Sequence, residues 1–155
     1  MIYVFDSDSL IDLFRHFYLN RFPSLWERFD QLVKGEVIIS VREVYNEIEG
    51  RSDRLSQWAK NNRDFFQQPY PEELDFVVEI FKVPHFRYLI SEKARLQGKP
   101  VADPLVIAKA QSLKGCVITQ ELKKPNAARI PNVCEHFRLD CSNLEGFMER
   151  EDWTF

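Results

Sequence analysis

The stretch IYVFDSDSLI, residues 2–11, decides the fold class of this chain. It begins with four apolar residues, Ile2 to Phe5, and an acidic residue, Asp6, follows them directly. A short apolar run without alternation is typical of a strand that is buried on both faces of a parallel sheet. We therefore predict a buried strand that ends at Asp6, followed by a helix that begins near Leu10.

Further along the chain, strand-like and helical patterns alternate. Two runs resemble the first strand, Val37 to Ile39 and Cys116 to Thr119, and a weaker candidate lies near Arg138 to Cys141. Apolar residues at helical spacing fill the segments between these runs. The alternation predicts an α/β fold, a three-layer α/β/α sandwich with a mostly parallel central sheet of about four or five strands.

The length and composition predict one globular domain over residues 1–155. Hydrophobic residues make up 45% of the chain, which contains 13 Phe and only 5 Gly, so a single core can form. The middle of the chain, at about residues 52–96, carries helical patterns. It is predicted to be a helical insertion between sheet strands.

Charge, cysteines and hydropathy restrict the function classes. The formal net charge of −3 excludes a basic field over the whole molecule, although a local basic rim can still contact phosphates. Three cysteines without CxxC spacing favour reduced thiols in a cytoplasmic protein. A zinc site of Cys134, His136 and Cys141 is an alternative, but its spacing matches no common zinc pattern. No signal peptide or membrane span is predicted.

Acidic residues lie at the carboxyl ends of the predicted strands. Asp6 follows the first strand, the helix after the second carries Glu43 and Glu47, and Glu121 follows the third. Asp103 begins the helix that leads into that third strand. Since ligands bind outside the carboxyl ends of strands in open parallel sheets, four segments are predicted to bring a carboxylate to one edge.

Such a cluster of carboxylates needs a counter-charge. Two unit charges ~4 Å apart repel by about 4 kcal/mol at an effective dielectric constant of ~20, so protons or a hard cation must neutralise them. Oxygen ligands without a nearby His or Cys favour Mg²⁺ or Mn²⁺ over zinc. Because Mg²⁺ held by carboxylates and water typically acts on phosphates, the sequence favours a metal site for phosphate chemistry.

The acids that follow the second and third strands also have structural interpretations. Ser40 and Glu43 have the spacing of a capping box, which explains Glu43 structurally. Glu47 lies one turn later on the same helical face and needs no capping role, so it is the preferred ligand, with Glu43 as its substitute. Glu121, taken alone, is an ordinary solvated acid at a strand end.

The other two acids lie at predicted helix starts. Asp8 or Ser9 can cap the first helix, which leaves Asp6 for a ligand role. Asp103 precedes Pro104, and an Asp cap with Pro at the first helical position explains both residues without a ligand. Only the presence of the other acids favours a ligand role for Asp103.

In this order the motifs resemble those of PIN domains, the fold of many ribonuclease toxins in type II toxin–antitoxin pairs. The opening IYVFDSDSLI resembles the family's first motif, a strand that ends in Asp before a helix. The stretch IISVREVYNEI resembles the second motif and points to Glu47 as its acid. The stretch VADPLVIAKAQSLKGCVIT resembles the third, and Glu121 then stands where the family often has a further Asp. The resemblance covers nearly the whole chain.

The resemblance implies an α/β/α sandwich and cleavage of RNA that depends on Mg²⁺ or Mn²⁺. Asp6, Glu47 and Asp103 would be metal ligands, and a fourth acid at position 121 would complete the catalytic set. Thr119 and Ser7 would support the site by hydrogen bonds. These assignments are carried over from the family's motifs and are expectations for the structure.

RNA would have to be held by a basic rim. Arg42, Lys123 and Lys124 are the leading candidates, because they lie next to the predicted acids in the sequence. Further candidates are Arg15, Arg51, Arg54 and Arg129.

The resemblance also implies a cognate antitoxin protein as partner. The aromatic residues Trp58, Phe65, Phe66 and Tyr70 of the insertion could form an apolar surface for an antitoxin or for a homodimer. Core packing explains these aromatic residues equally well.

Two other functions remain open from the sequence. VFDSDSLID also resembles the opening of HAD-type aspartyl phosphatases, with Asp6 as nucleophile and Asp8 as acid. That family needs a Gly-Thr where Ser9 and Leu10 stand here, and its later acidic pair is missing. The second alternative is a degenerate PIN-like module that binds RNA or protein without cleavage.

Overall fold

The computed structural model describes residues 1–90 and 101–155. Within these residues the chain forms a five-stranded sheet with the order β3-β2-β1-β4-β5. The strands are β1 (Tyr3–Phe5), β2 (Ile38–Val41), β3 (Phe66–Gln67), β4 (Cys116–Ile118) and β5 (Asp140–Ser142). The α-helices are α1 (Ser7–His16), α2 (Pro23–Lys34), α3 (Arg42–Ile48), α4 (Arg54–Asn61), α5 (Pro71–Phe81), α6 (Ala102–Leu113), α7 (Ile130–Phe137) and α8 (Leu144–Arg150). Two 3₁₀ turns cover Arg63–Phe65 and Pro84–Leu89.

Strand β1 lies at the centre of an all-parallel sheet. It pairs with β2 on one side and with β4 on the other, and β3 and β5 extend the sheet at its two edges. All three residues of β1 are buried, which requires that both faces of the sheet are covered. The parallel sheet packed between helices confirms the predicted α/β class.

The two faces of β1 are covered by different parts of the chain. The rings of Tyr3 and Phe5 point to one face and meet the ring of Phe147 edge-on, at centroid separations of 4.8 and 5.2 Å. Val4 points to the opposite face, because successive residues of a strand alternate. Helix α8, which carries Phe147, and helix α6, which contacts β1, β2 and β4, hold the centre of the sheet in place.

The observed strands match the predicted runs, except for one that the prediction lacks. The runs at residues 2–5, 37–39 and 116–119 correspond to β1, β2 and β4, and the weaker candidate at 138–141 corresponds to β5. Strand β3 lies inside the segment 52–96, so this insertion is not wholly helical. Two residues are too few to produce a strand pattern in the sequence. The last part of the insertion, residues 91–96, lies outside the described residues.

An aromatic cluster joins the first, second and fourth helices. The rings of Phe14, Trp26, Phe29 and Trp58 lie with their centroids 4.7 to 5.9 Å apart, mostly edge-on. Such offset contacts add to the free energy gained by burial of the rings. The cluster packs the beginning of the insertion, α4, against the N-terminal helices.

The insertion aromatics are mainly core residues. Phe65 and Phe66 are buried, and the partly buried Trp58 packs against both rings. The prediction that they form a surface for a partner is therefore wrong for Phe65 and Phe66. Tyr70 differs from them, because it is 52% exposed.

A buried ion pair joins α5 to α6. The Nζ atom of Lys109 lies 2.8 Å from Oε1 of Glu73, and the two side chains are 0% and 1% exposed. Glu73 also accepts hydrogen bonds from the backbone N–H of Tyr70 and the hydroxyl of Ser112, and Lys109 donates to the carbonyl of Gln68 at 3.1 Å. Both charges are thus paired and hydrogen-bonded, which offsets the cost of removing them from water.

Two further findings concern the predictions about membranes and cysteines. Within the described residues, no helix has both the length and the apolar character needed to cross a membrane. Cys116, Cys134 and Cys141 are free thiols, and the first two are buried.

Candidate active site

Asp6 lies directly after β1, and it is both a buried acid and the cap of α1. The residue is 3% exposed. Its Oδ1 atom accepts a hydrogen bond of 2.8 Å from the backbone N–H of Ser9, which is the capping bond of α1. The prediction that Asp8 or Ser9 caps a helix near Leu10 is therefore wrong, because Asp6 caps a helix that already begins at residue 7.

A second hydrogen bond fixes the other oxygen of Asp6. Its Oδ2 atom accepts from the hydroxyl of Thr119, the residue that follows β4. The buried hydroxyls of Ser9 and Ser40 brace the same region by donating to backbone carbonyls of β4 and β1, at 3.0 and 2.6 Å. The end of β1 is therefore held to both neighbouring strands, and Asp6 is held in one orientation.

Burial raises the pKa of Asp6 to about 7, although the hydrogen bonds from Thr119 and Ser9 act in the opposite direction. The charge of Asp8 raises the pKa of Asp6 further. The carboxylate is thus poorly stabilised as an anion by its surroundings, in spite of its two hydrogen bonds.

Glu47, on α3, lies between the segments that carry the other two predicted ligands. Its carboxylate accepts hydrogen bonds from the hydroxyl of Ser7, which follows Asp6, and from the backbone N–H of Ala102, which precedes Asp103. The residue as a whole is exposed, but loss of water around the carboxylate raises its pKa above the usual value. The two hydrogen bonds lower this pKa and the charge of a neighbouring acid, residue 8, raises it.

Asp103 lies in the first turn of α6 without capping it. The helix begins at Ala102, with Val101 at the N-cap position and no capping hydrogen bond from a side chain. The interpretation of Asp103 as a helix cap followed by Pro104 is therefore wrong. The position of this carboxylate is not explained by the local structure of the helix.

The other acids act on Asp103 through their charges. Burial raises the pKa of Asp103 to about 8, and the carboxylates of Glu121, Asp6, Glu47 and Asp8 raise it as well. Acids that are far apart in the sequence are therefore close enough in space to repel one another. They lie where parallel strands end, as expected for a site in an open sheet.

Glu121 has a structural role that the sequence does not indicate. Its Oε2 atom accepts a hydrogen bond of 2.9 Å from the backbone N–H of Ile130, the first residue of α7. Its own backbone N–H donates to the hydroxyl oxygen of Thr119 at 3.1 Å. The interpretation of Glu121 as an ordinary solvated acid is wrong, because it holds the start of α7 while its charge also acts on Asp103.

Glu43 does not form the predicted capping box. Ser40 belongs to β2, and α3 has no capping hydrogen bond from a side chain. Glu43 is 1% exposed, and its Oε1 atom lies 2.7 Å from the guanidinium of Arg42. Its Oε2 atom is buried and, within the described residues, has no hydrogen-bond partner. Glu47, in contrast to Glu43, is among the leading charges that raise the pKa of Asp103.

Asp8 is a further member of the cluster, and the sequence prediction does not place it there. It is exposed in the first turn of α1, and its charge raises the pKa values of Asp6, Glu47 and Asp103. The spacing Asp6-Ser7-Asp8 was the available signal, but helix capping offered a simpler explanation of it. Once Asp6 caps the helix, Asp8 is available to face the other acids.

The acids fit a divalent cation in their chemistry, but they are not arranged around one. Across residues 1–90 and 101–155, no three His, Cys, Asp or Glu side chains are placed so as to hold a metal ion. In this arrangement both oxygens of Asp6 and one of Glu47 accept hydrogen bonds from the protein. A crowded, partly dehydrated set of oxygen donors is nevertheless what Mg²⁺ or Mn²⁺ prefers. The same result covers the zinc alternative of Cys134, His136 and Cys141.

Most candidates for a basic rim have partners within the protein. Arg51 and Arg42 pair with neighbouring acids in the sequence, and Lys123 pairs with Glu135. Arg54 lies over rings of the aromatic cluster at 4.4 and 4.6 Å. Arg54 is therefore a packing residue, whereas the side chain of Arg42 remains 47% exposed and accessible.

Two solved structures are similar to this chain. One is the structure of VapBC2 from Rickettsia felis bound to a DNA fragment from the VapBC2 promoter. It aligns at 14% identity over 92% of this chain and 98% of that chain, with a TM-score of 0.49. PAE2754 from Pyrobaculum aerophilum aligns at 17% identity over 89% of this chain and 96% of that chain, with a TM-score of 0.42.

No curated protein matches the chain. One family model, described as a domain of unknown function (DUF4411), matches residues 3–155. This range contains the whole sheet and every acid of the candidate site. The chain therefore belongs to the DUF4411 family.

Proposed function

We propose that this chain is an endoribonuclease that hydrolyses phosphodiester bonds of RNA with Mg²⁺ or Mn²⁺, and that Asp6, Glu47 and Asp103 hold the metal. The PIN-like order of its sequence motifs supports the proposal, and so does the position of its acids at the ends of parallel strands.

The observation that carries the proposal is the repulsion between acids that come from separate segments. The pKa of Asp103 is raised to about 8 by burial and by the charges of Glu121, Asp6, Glu47 and Asp8. Such a cluster costs free energy of folding, and strongly perturbed acids concentrate at functional sites. A divalent cation offsets this cost and turns the cluster into a binding site.

The residues of the site divide into ligands and supports. Asp6, Glu47 and Asp103 would hold the metal through oxygen atoms, with Thr119 and Ser7 orienting the first two by hydrogen bonds. The bound metal would polarise a phosphoryl oxygen and supply an activated water. In this proposal the acids bind the metal and do not transfer protons themselves.

The proposal extends to partners and location. An RNA strand is the substrate, a cognate antitoxin protein is the partner that the PIN resemblance implies, and the cytoplasm is the expected location. A homodimer is a further expectation from the sequence.

The test is cleavage of a mixed single-stranded RNA with Mg²⁺ or Mn²⁺, with and without EDTA. Asp103→Asn should reduce cleavage about a hundredfold or more, because it removes one of the charges that hold the metal. Asp30→Asn, at an exposed position on α2, is the matched control and should leave cleavage unchanged.

A second pair of variants distinguishes the two glutamates of α3. Millimolar Mn²⁺ should raise the melting temperature of the wild-type chain, since a ligand at ~100 times its Kd adds about 2.7 kcal/mol to stability. Glu47→Gln should abolish this rise, and Glu43→Gln should retain it. A wild-type chain that shows neither the rise nor cleavage would instead be the non-catalytic RNA- or protein-binding module.

A further inference from the structure

A groove runs along the β3 edge of the sheet. It consists of two cavities of about 490 and 430 Å³ that share Arg63 and Asp64 as lining residues, and we name it the edge groove. It arises because β3 pairs with Ser40 and Val41, so that within residues 1–90 and 101–155 the first half of β2 has no neighbouring strand on this side. The 3₁₀ turn Arg63–Phe65 and the end of α4 form the opposite wall.

The edge groove is basic although the chain is acidic. The charged residues that line its two cavities are four basic and two acidic: Lys34, Arg42, Lys60 and Arg63 against Glu36 and Asp64. All four basic residues are exposed. Glu43 pairs with Arg42 and offsets one of these positive charges, so the groove keeps a small positive excess in a chain that has 21 Lys and Arg against 24 Asp and Glu. A basic groove within an acidic surface attracts a polyanion locally.

Two lining residues are positioned by contacts underneath them. The guanidinium of Arg63 lies over the ring of Tyr45 at 4.3 Å from the centroid. The Nζ atom of Lys109 lies over the ring of Tyr70 at 4.3 Å from the centroid. Because Lys109 is fully buried and Tyr70 is 52% exposed, the exposed part of the ring is directed away from the ammonium. A half-exposed ring held in place in this way is suited to stacking on a base.

The groove reaches the end of the sheet where the acids lie. Arg42 follows β2 directly, and Gln68 and Tyr70 follow β3, just as Asp6 follows β1. Since β1, β2 and β3 are adjacent and parallel, these residues share one edge of the sheet. One end of the groove therefore lies at the edge of the sheet that also carries Asp6.

We infer that the edge groove binds the single-stranded RNA substrate, with Arg63 and Arg42 contacting phosphates and Tyr70 stacking on an unpaired base. This inference rests on the proposed function for the identity of the ligand. Single-stranded rather than duplex RNA is favoured, because stacking on a side chain requires a base that is not already stacked within a helix. Gln67 and Gln68 line the same cavity and supply amide groups for base edges.

The test measures binding without cleavage. A short fluorescein-labelled single-stranded RNA of mixed sequence is titrated in EDTA, and anisotropy reports the Kd. Tyr70→Leu should weaken binding about tenfold, and Tyr70→Phe should retain it, because stacking needs the ring and not the hydroxyl. Tyr88→Leu is the matched control, since Tyr88 is 78% exposed on the second 3₁₀ turn, outside the groove.

Salt dependence separates the phosphate contact from the stacking contact. Arg63→Gln should weaken binding and reduce the slope of log K against log salt by about 0.7, as expected for one lost phosphate contact to a single strand. Tyr70→Leu should leave that slope unchanged. Arg87→Gln, at another exposed arginine outside the groove, should change neither quantity.

Several outcomes would overturn the inference. These are equal losses in the control variants, unchanged binding in both Tyr70→Leu and Arg63→Gln, or duplex RNA that competes as well as the single strand. Cleavage with an unchanged KM in Tyr70→Leu would contradict the groove and leave the nuclease proposal intact. Binding through the groove without cleavage in Mn²⁺ would contradict the nuclease proposal and leave the groove intact.

Discussion

Helix α6 borders two acidic regions whose charges are stabilised in different ways. In its second half, Lys109 neutralises Glu73, and both side chains are almost completely buried. At its first turn, Asp103 meets Asp6 and Glu47, which carry the same charge. In the part of the chain that the structure describes, neither Asp6 nor Asp103 forms an ion pair with a Lys or Arg.

Each region contains a buried carboxylate, Glu73 in the first and Asp6 in the second, so the difference lies in the counter-charge. The Glu73–Lys109 pair is complete within the chain and connects two helices. The acid cluster is held in place by hydroxyls and backbone N–H groups, and among residues 1–90 and 101–155 neither Asp6 nor Asp103 has an ion pair with a Lys or Arg. The charges of the first region are thus neutralised within the chain, whereas the proposed function assigns the counter-charge of the second to a bound metal.

The largest expected effect comes from removing the cation of the paired region. Lys109→Met should lower the free energy of unfolding by about 3–5 kcal/mol, because it leaves Glu73 buried without its partner. Urea denaturation measures the change. Lys82→Met, in the exposed pair with Glu79, is the control and should cost less than about 1 kcal/mol. Similar small losses in both variants would show that the buried pair contributes no more than a surface pair.

A smaller effect of opposite sign is expected in the acid cluster. In EDTA at pH 8, Asp6→Asn should raise the free energy of unfolding by about 1 kcal/mol, because the amide accepts the Ser9 capping bond without the buried charge. Asp6→Ala should be less stable than Asp6→Asn by about 1 kcal/mol, since it loses the cap as well as the charge. Both variants should lose cleavage.

The pH dependence of the Asp6→Asn effect follows from the raised pKa. The Asp6 carboxyl has a pKa of about 7 in the folded chain, against 3.8 for an unperturbed Asp. Ionisation of Asp6 therefore destabilises the folded state, and this destabilisation grows as the pH rises from about 4 to about 7. The advantage of Asp6→Asn should therefore be complete above pH 7 and disappear below about pH 4. An Asp6→Asn chain that fails to fold would make Asp6 a structural residue and contradict the site.

The smallest effect is expected at Asp140, a partly exposed acid that forms an ion pair with Arg150. The hydrogen bond from Arg150 holds the pKa of Asp140 below its usual value. The pair therefore stabilises the fold fully at pH values above the pKa of Asp140 in the unfolded chain. This stabilisation is lost as the pH falls through the pKa of Asp140 in the folded chain. Because both side chains are more than a third exposed, Asp140→Asn should cost only a few tenths of a kcal/mol at neutral pH. Thermal unfolding with and without added salt measures it. A loss as large as that of Lys109→Met would contradict the role assigned to burial.

The sequence was sufficient for the features that depend on apolar runs. The three inner strands and Asp6 at the end of β1 could be predicted, because parallel strands buried on both faces leave a continuous apolar signal. Thr119 could be placed beside the acids only through the PIN resemblance, since a Thr at a strand end has no distinctive pattern.

Features that depend on tertiary contacts could not be predicted. Lys109 has the appearance of a surface lysine on a helix, and only the approach of α5 buries it against Glu73. The capping box at Ser40 and Glu43 fits the local rule, but pairing of β2 with β3 draws Ser40 into the sheet. Strand β3 is defined by its pairing with β2, and its two residues are too few to give a strand pattern in the sequence.

Under the proposed function Asp6 would be both a metal ligand and the cap of α1, and this double role would affect how members of the family can diverge. Asn, Ser and Thr also start helices well, whereas Ala and Leu do not. A lineage that no longer needs catalysis can therefore exchange Asp6 for one of these three residues and still fold its first helix. Among relatives, this position should hold Asp where chemistry is under selection and Asn, Ser or Thr where only the scaffold has been retained.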